Sequence, residues 1–335
     1  MENTQIRIQV TGSRGKSGVV RLIHAGLCAC GLRCRSRITG VVPRELTPGG
    51  ERPILRYAGA NVAELRWWLR QLPPDTDAAV AENSAVSPEL QRVCSEALQP
   101  TLTVLTNTKP DHEALWGNDE RSVLRALSGA LPRGGAIVLP RALAERPDMR
   151  LLALEKKLTF HAVELPAVFS SHLAVNIPLA LEACRLTGAN EKDALAAMRS
   201  LKADIADSAV IRADGWELAF AFSINDLQST QGYFASLGWH PAETSFIYNH
   251  RADRSDRFRS FEAWMKNGGW KNVVIIGERP PLSVLTQHYK RIKNMEEFAS
   301  LLNSERRSFG CGNAVYGLPL AFKLAAEERA IKNVR

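Results

Sequence analysis

The sequence predicts an α/β fold with two domains, the first of them built around a mostly parallel sheet. Short apolar runs alternate with amphipathic helical segments, and this alternation stops and then restarts after Lys202. The length of 335 residues is also more than one hydrophobic core usually serves. Because alternating strands and helices form parallel sheets with helices on both faces, we expect a first domain over residues 1–205 and a second over 206–335.

The first domain opens with a strand, a loop and a helix. Residues 6–10 alternate in polarity, residues 11–15 favour a turn, and residues 16–30 carry a broad apolar face that ends at Gly31. Further strands are predicted at 78–81, 102–105 and 136–139, and further helices at 62–71, 88–98, 120–131, 174–185 and 191–201.

The second domain repeats the alternation with shorter, β-rich segments. Its predicted strands are 209–212, 217–222, 244–248 and 273–276, and its predicted helices are 228–237 and 257–267. We therefore expect a second, smaller α/β domain, with the boundary between residues 202 and 208.

Composition excludes several classes of protein. Hydrophobic residues make up 45% and charged residues 23%, which is ordinary globular usage rather than disorder, collagen or a coiled coil. The net charge of +8 favours an anionic partner, which charge alone leaves open between nucleotide, nucleic acid, acidic polymer and anionic lipid. With no apolar run of about 18 residues and no signal-peptide core, a soluble, unexported chain is expected.

Six cysteines are too few for a disulfide scaffold in a chain of this length. The group Cys28, Cys30 and Cys34 lacks the paired spacing and the fourth ligand of a zinc site. We interpret Cys30 and Cys34 as small core residues.

The loop between the first strand and the first helix has the composition of a phosphate-binding loop. Backbone N–H groups and a helix N-terminus cradle phosphate oxygens, while a lysine reaches the outer phosphates and a serine hydroxyl binds Mg²⁺. The residues predicted to bind the nucleotide here are Gly12, Ser13, Arg14, Gly15, Lys16 and Ser17. The general form of the motif has glycine where this chain has Val10, so the loop is of a shorter type.

A carboxylate follows the next predicted strand. Glu82 ends the run 78–81, and ligands of open α/β sheets bind at the carboxyl ends of the strands. We therefore predict that Glu82, together with Ser17, holds Mg²⁺ against the phosphates.

The shorter loop, Thr11-Gly-Ser-Arg-Gly-Lys-Ser17, resembles that of the Mur ligases and folylpolyglutamate synthetases. Later landmarks resemble, in order, the ligase subunit of poly-γ-glutamate synthase, the CapB or PgsB type. These landmarks are Thr39-Gly40, Ala81-Glu82, Thr106-Asn107, Asp111-His112, Asn225-Asp226, Asn249, the run 251–254, Gly312-Asn313 and Gly317.

The resemblance implies an ATP-dependent carboxylate–amine ligase that works through an acyl phosphate. It implies a Mur-type ATPase domain over which a smaller Rossmann-like domain closes, ATP and Mg²⁺ as cofactors, and poly-γ-glutamate synthesis in capsule biosynthesis. Glutamate or a poly-glutamate acceptor would be the substrate. The expected location is the cytoplasm, at the inner face of the membrane through membrane-embedded partner subunits, and a homo-oligomer is possible.

The resemblance also implies roles for individual residues. Thr39 would lie near the metal and phosphates, His112 would bind a second metal, and Asn176 would lie near the adenine. In the second domain, Arg251 and Arg254 would bind phosphate or a substrate carboxylate, and Asp226 would orient the incoming amine.

The chain departs from these families in three respects. We expect neither the hydrophobic N-terminal segment of the CapB type nor the N-terminal substrate domain of the Mur enzymes. No lysine aligns with the carbamylated lysine of the Mur pattern, Lys156 and Lys157 being the nearest.

Other functions stay open on the sequence. One is a Mur-like ligase acting on a cell-wall or other acidic acceptor, and another is a nucleotide-binding scaffold subunit without catalysis. A nucleic-acid partner is not expected, because the basic residues are scattered and the aromatic stretch 65–70 reads as a packed helix.

Overall fold

The computed structural model describes residues 4–40, 42–56, 61–166, 172–213, 215–281, 285–314 and 318–333. The landmark Gly317 lies outside these ranges. The chain divides into two compact units, residues 1–202 and 203–335.

The first unit is built on one sheet of eight strands in the order β4-β3-β2-β5-β1-β6-β7-β8. The strands from β2 to β8 in this order run parallel, while β3 and β4 extend the β2 edge as an antiparallel hairpin. Their bounds are β1 Ile6–Thr11, β2 Cys34–Ile38, β3 Arg44–Thr47, β4 Gly50–Pro53, β5 Ala78–Glu82, β6 Leu102–Leu105, β7 Ala136–Pro140 and β8 Thr159–Val163.

Nine helices connect and cover this sheet in the described ranges. They are α1 Lys16–Ala29, α2 Ala63–Arg70, α3 Pro88–Leu98, α4 Glu113–Trp116, α5 Glu120–Leu127, α6 Arg141–Ala144, α7 Pro147–Lys156, α8 His172–Leu186 and α9 Glu191–Ser200. The core forms where α1 packs against the sheet and α8 and α9 pack against α1, since Val10, Leu22 and Ala183 are all fully buried there.

The second unit has a five-stranded sheet in the order β12-β11-β13-β10-β9, in which only β9 runs antiparallel to its neighbour. Its strands are β9 Ala209–Ala213, β10 Trp216–Phe220, β11 Ser245–His250, β12 Asn272–Gly277 and β13 Arg307–Gly312, and its helices are α10 Leu227–Ser236, α11 Ser255–Asn267, α12 Met295–Glu305 and α13 Leu318–Asn333. An aromatic cluster that includes Phe234, Phe246, Trp264 and Phe309 fills one face of this sheet.

The predicted fold class is confirmed: a large, mostly parallel sheet is followed by a smaller α/β unit. The sequence missed β2, β3, β4, β8 and β13 and the helices α4, α6, α7, α12 and α13. The predicted strand 217–222 ends earlier, at Phe220, because the backbone turns there. Within the described ranges, no helix is both long and apolar enough to cross a membrane.

Candidate functional site

The loop between β1 and α1 has the backbone conformation of an anion cradle. Gly12 (φ 131°) and Gly15 (φ 79°) both have positive φ, which side chains other than glycine rarely adopt. A Cβ at Gly12 would overlap Thr106 Oγ1, so the loop also needs glycine there for space. The loop leads directly into α1, whose first-turn N–H groups have no partner inside the helix.

Residues after β6 brace this loop from the side. Ser13 Oγ donates to Asn107 Oδ1 at 2.6 Å, and Thr106 Oγ1 donates to Arg14 O at 2.6 Å. Asn107 Nδ2 donates to the same Arg14 carbonyl at 3.0 Å. The sequence analysis used the Thr106-Asn107 pair only as a landmark of the resemblance. The bracing role could have been predicted from the position of the pair, directly after a strand that lies parallel to β1.

Lys16 folds back over the loop. Its Nζ donates to Gly12 O at 2.8 Å and to Ser13 O at 3.3 Å. Burial lowers the pKa of Lys16, while the nearby carboxylates of Glu82 and Asp111 raise it. A buried ammonium that donates to carbonyls of its own loop is a group that an incoming phosphate can bind.

Ser17, Thr39 and Glu82 are brought together from three elements. Glu82 ends β5 and is only 4% exposed, and its Oε2 accepts from Ser17 Oγ at 3.1 Å and from the Thr39 N–H at 2.9 Å. The Thr39 hydroxyl is in turn hydrogen-bonded to Ser84 Oγ, a residue that the sequence interpretation did not include. A Cβ at Gly40 would lie 2.9 Å from Ser17 Oγ, so glycine at this position leaves room for the Ser17 hydroxyl.

The cluster fits a magnesium ion. Oxygens that bind side by side on an octahedral Mg²⁺ at about 2.1 Å lie about 3 Å apart, which matches the separation of Ser17 Oγ and Glu82 Oε2. No group of three or more His, Cys, Asp and Glu side chains suited to a metal occurs in the described ranges. An ion here would therefore take its remaining ligands from phosphate and water, as Mg²⁺ commonly does.

Asn176 lies beside Gly15 of the phosphate loop. It is in the second turn of α8, and its side-chain amide would be 3.2 Å from a Cβ at Gly15. The amide therefore borders the phosphate loop directly.

His112 has a left-handed backbone (φ 50°) and its ring packs on Trp116 at 4.9 Å between centroids. Its N–H donates to Asp111 Oδ1 at 2.9 Å, and Asp111 is close enough to Lys16 to raise the pKa of that lysine. His112 thus belongs to the loop that faces Lys16.

Lys156 and Lys157, the nearest candidates for the carbamylated lysine of the Mur pattern, do not lie beside the phosphate loop. Both precede β8, so they lie at the amino ends of the parallel strands, whereas the phosphate loop lies at the carboxyl ends. Lys156 Nζ donates to Leu131 O at 2.8 Å.

In the second unit, Arg251 lines a cavity of about 520 Å³ at the carboxyl ends of β11 and β12. Its guanidinium forms a two-point ion pair with Asp253, at 3.0 and 2.6 Å. Glu278 and Lys293 also line the cavity, together with Asn249 and His250, so charges of both signs surround it.

Asp226 and Arg254 each begin a helix in this unit. Asp226 Oδ1 accepts from Ser229 N at 2.8 Å and caps α10, and Arg254 directly precedes α11. Asp226 therefore lies at the start of α10 and not at the end of a strand, because β10 already ends at Phe220.

The fold is found among solved ligases. E. coli FolC, solved in complex with DHPP and ADP, superposes with a TM-score of 0.67 at 14% identity, over 98% of this chain and 90% of that one. MurF from Acinetobacter baumannii gives a TM-score of 0.67 at 13% identity, over 97% of this chain and 77% of that one. The protein therefore has the α/β fold shared by folylpolyglutamate synthetases and Mur ligases.

The family comparison is more specific. Residues 207–328 match the model of the poly-gamma-glutamate synthase CapB C-terminal domain. PGA synthase CapB from Bacillus subtilis is 26% identical over 284 residues, which are 76% of this chain and 70% of that protein. The resemblance to the CapB-type ligase subunit is confirmed.

Proposed function

We propose that this protein is an ATP-dependent amide ligase that extends poly-γ-glutamate, in capsule biosynthesis. The observation that carries the proposal is the convergence of Lys16, Ser17 and Glu82 on one phosphate loop. The CapB relative and the ligase fold support it, and the FolC complex holds ADP on the same fold.

The chain's own residues then have separate tasks. The N–H groups of the loop and Lys16 bind the β- and γ-phosphates, and Asn176 lies beside the nucleotide. Ser17 and Glu82, with Thr39 orienting the carboxylate, would hold Mg²⁺, which neutralises charge on the phosphates when bound. His112, which lies in the loop facing Lys16, would bind a second metal.

The reaction has two steps. A carboxylate oxygen of the substrate attacks the γ-phosphorus and ADP leaves, giving an acyl phosphate. The amine of the second substrate then attacks the acyl carbon, phosphate leaves, and the nitrogen loses a proton to complete the amide. In this proposal Arg251 and Arg254 bind a substrate carboxylate or phosphate, and Asp226 orients the amine.

The test is amino-acid-dependent ADP release by the purified protein with ATP, Mg²⁺ and glutamate or a glutamyl peptide. Lys16→Ala and Glu82→Gln are each expected to lower the rate at least about 100-fold, because Lys16 neutralises charge on the transferring phosphoryl group directly and Glu82 would do so through the Mg²⁺ that it holds. The matched controls Lys192→Ala and Glu96→Gln change exposed side chains and should keep the wild-type rate.

The masses of the products distinguish polymer extension from a single addition by a Mur-like ligase. A ladder of glutamyl additions supports polymer extension, whereas one adduct on a cell-wall or other acidic acceptor supports a Mur-like ligase. ATP binding without any acid-dependent turnover would instead indicate a nucleotide-binding scaffold subunit and would refute the proposal.

A further inference from the structure

A row of sulfur, imidazole and hydroxyl groups lies at the end of α1 that is remote from the phosphate loop. Cys28 Sγ is 3.6 Å from His24 Nε2, one helical turn earlier, and His24 Nδ1 is 2.9 Å from Ser36 Oγ on β2. Cys34 Sγ, on the same strand, is 3.5 Å from Ser36 Oγ. These contacts connect the two thiols through His24 and Ser36, so two nucleophilic groups and an imidazole share one small site.

The two sulfurs have opposite environments. A hydrogen bond from the Cys34 thiol, assisted by His24, lowers the pKa of Cys28 to about 5. Burial raises the pKa of Cys34, which is fully enclosed and stays protonated. Cys28 is partly exposed. A reagent from solution can therefore reach the Cys28 thiolate, while the Cys34 thiol of the same cluster is buried and protonated.

We propose that Cys28 and Cys34 are a redox-active dithiol that reacts with hydroperoxides. The Cys28 thiolate attacks one peroxide oxygen, the O–O bond breaks, and hydroxide or alkoxide leaves after taking the electron pair. The resulting sulfenic acid is attacked by Cys34 sulfur, which loses its proton as water leaves, and a disulfide joins the two residues. The sulfur pair is oxidised by two electrons and the peroxide is reduced by two.

The other cysteines do not share this environment: Cys30 is partly exposed and its Sγ donates to Asn190 O at 3.5 Å, and the remaining three are buried. Burial raises the pKa of Cys94 to about 11 and that of Cys184 to about 12, and Cys311 is fully buried with a raised pKa. Thiol reactivity follows thiolate character and access, so oxidation should select Cys28.

The first test is the pH profile of alkylation by iodoacetamide, read at each cysteine by peptide mass spectrometry. An ordinary thiol with a pKa of about 8.5, such as N-acetylcysteine, reacts about tenfold faster per pH unit between pH 6 and 8. Cys28 is expected to change less than about twofold over this range, because its thiolate is already formed. A tenfold rise per unit at Cys28 would overturn the proposal.

The second test adds one equivalent of hydrogen peroxide to the fully reduced protein. Wild type is expected to lose two hydrogens in intact mass, with the link mapped to Cys28 and Cys34. Cys34→Ser should stop at a sulfenic acid on Cys28 that dimedone traps, and Cys28→Ser should give neither product. The control Cys94→Ser should still form the link; a link between any other pair, or none in wild type, contradicts the assignment.

Discussion

Glu82 Oε2 accepts from both the Ser17 hydroxyl and the Thr39 backbone N–H. The sequence located Glu82 from its position at a strand end, but it could not show this shared acceptor. The Thr39 N–H reaches the carboxylate because β2 pairs with β5 and both strands end at the same edge of the sheet. Because β2 was not predicted, the physical reason for the Thr39 position was missing until the sheet was known.

The role of Asp226 can be separated from its role as a helix cap. Asn caps helices about as well as Asp, so Asp226→Asn should keep the α10 cap and leave the midpoint of thermal unfolding within about 2 °C. If Asp226 orients the amine, the loss of its charge lowers kcat at least about tenfold. Calorimetry and the ADP-release assay measure the two effects, and an unchanged kcat would remove Asp226 from the proposed site.

His250 makes the second unit sensitive to acid. Burial lowers the pKa of His250, whose Nδ1–H donates to Glu278 O at 3.0 Å. As pH falls below about 6.5, the His250 side chain binds a proton in the unfolded chain but not yet in the folded chain. The free energy of unfolding therefore falls, by at most about 1.4 kcal/mol per pH unit.

Urea unfolding at pH 7.5 and pH 5.5 checks this prediction. His250→Gln should lose less stability than wild type between the two pH values, whereas His240→Gln, at an exposed position, should lose as much as wild type. Equal losses in all three proteins would show that His250 is not the group responsible.

At the scale of elements, α1 is held by close contact with α8 and α9. A Cβ at Gly26 would lie 2.9 Å from both Cys184 Sγ and Met198 Cε, so this glycine allows the helices to approach. Overpacking costs about 1–3 kcal/mol and helix propensity offsets about 0.5–1 kcal/mol of it, so Gly26→Ala is expected to lower the free energy of unfolding by up to about 2 kcal/mol.

Gly232 provides the matched control in another helix. It lies inside α10 and a Cβ there would meet nothing within 4 Å. Gly232→Ala should therefore raise the free energy of unfolding by about 0.5–1 kcal/mol, through helix propensity alone. Chemical denaturation measures both variants, and the prediction requires opposite signs.

The strand β2 shows why local sequence patterns can miss an element. The strand β2 reads Cys-Arg-Ser-Arg-Ile, and its charges suggest a surface loop. In the fold, Arg37 is 5% exposed and donates to Glu64 at 2.8 Å, while Arg35 pairs with Glu45 on the adjacent hairpin. Partners distant in sequence let these arginines occupy a sheet, and local periodicity contains no information on such partners.

At the scale of the whole chain, Lys323 connects the last helix to the start of the second unit. It is 1% exposed, and its Nζ donates to the carbonyls of Ile205 at 2.8 Å and Asp207 at 2.6 Å, and lies 5.0 Å from the Phe220 ring. These carbonyls immediately follow the unit boundary after residue 202. Lys323 thus fixes the first residues of the second unit to its last helix.

Lys323→Met should lower the free energy of unfolding of the second unit by about 3 kcal/mol, because buried carbonyls lose a charged donor. Hydrogen exchange at strands β10 and β13 measures this loss locally. Lys266→Met, on the partly exposed face of α11, should cost less than about 1 kcal/mol. Equal protection in the two variants would argue against an anchoring role.

The sequence by itself determined the α/β class, the phosphate loop and the carboxylate at the end of β5, because each is encoded by neighbouring residues: apolar periodicity, paired glycines and a strand-ending Glu82. The ordered landmarks also predicted the resemblance to CapB-type ligases. Tertiary structure alone decided which groups meet. The contact of Thr39 with Glu82, the bracing of the loop by Asn107 and the pairing of Cys28 with Cys34 depend on strand order and register, which juxtapose residues far apart in the chain.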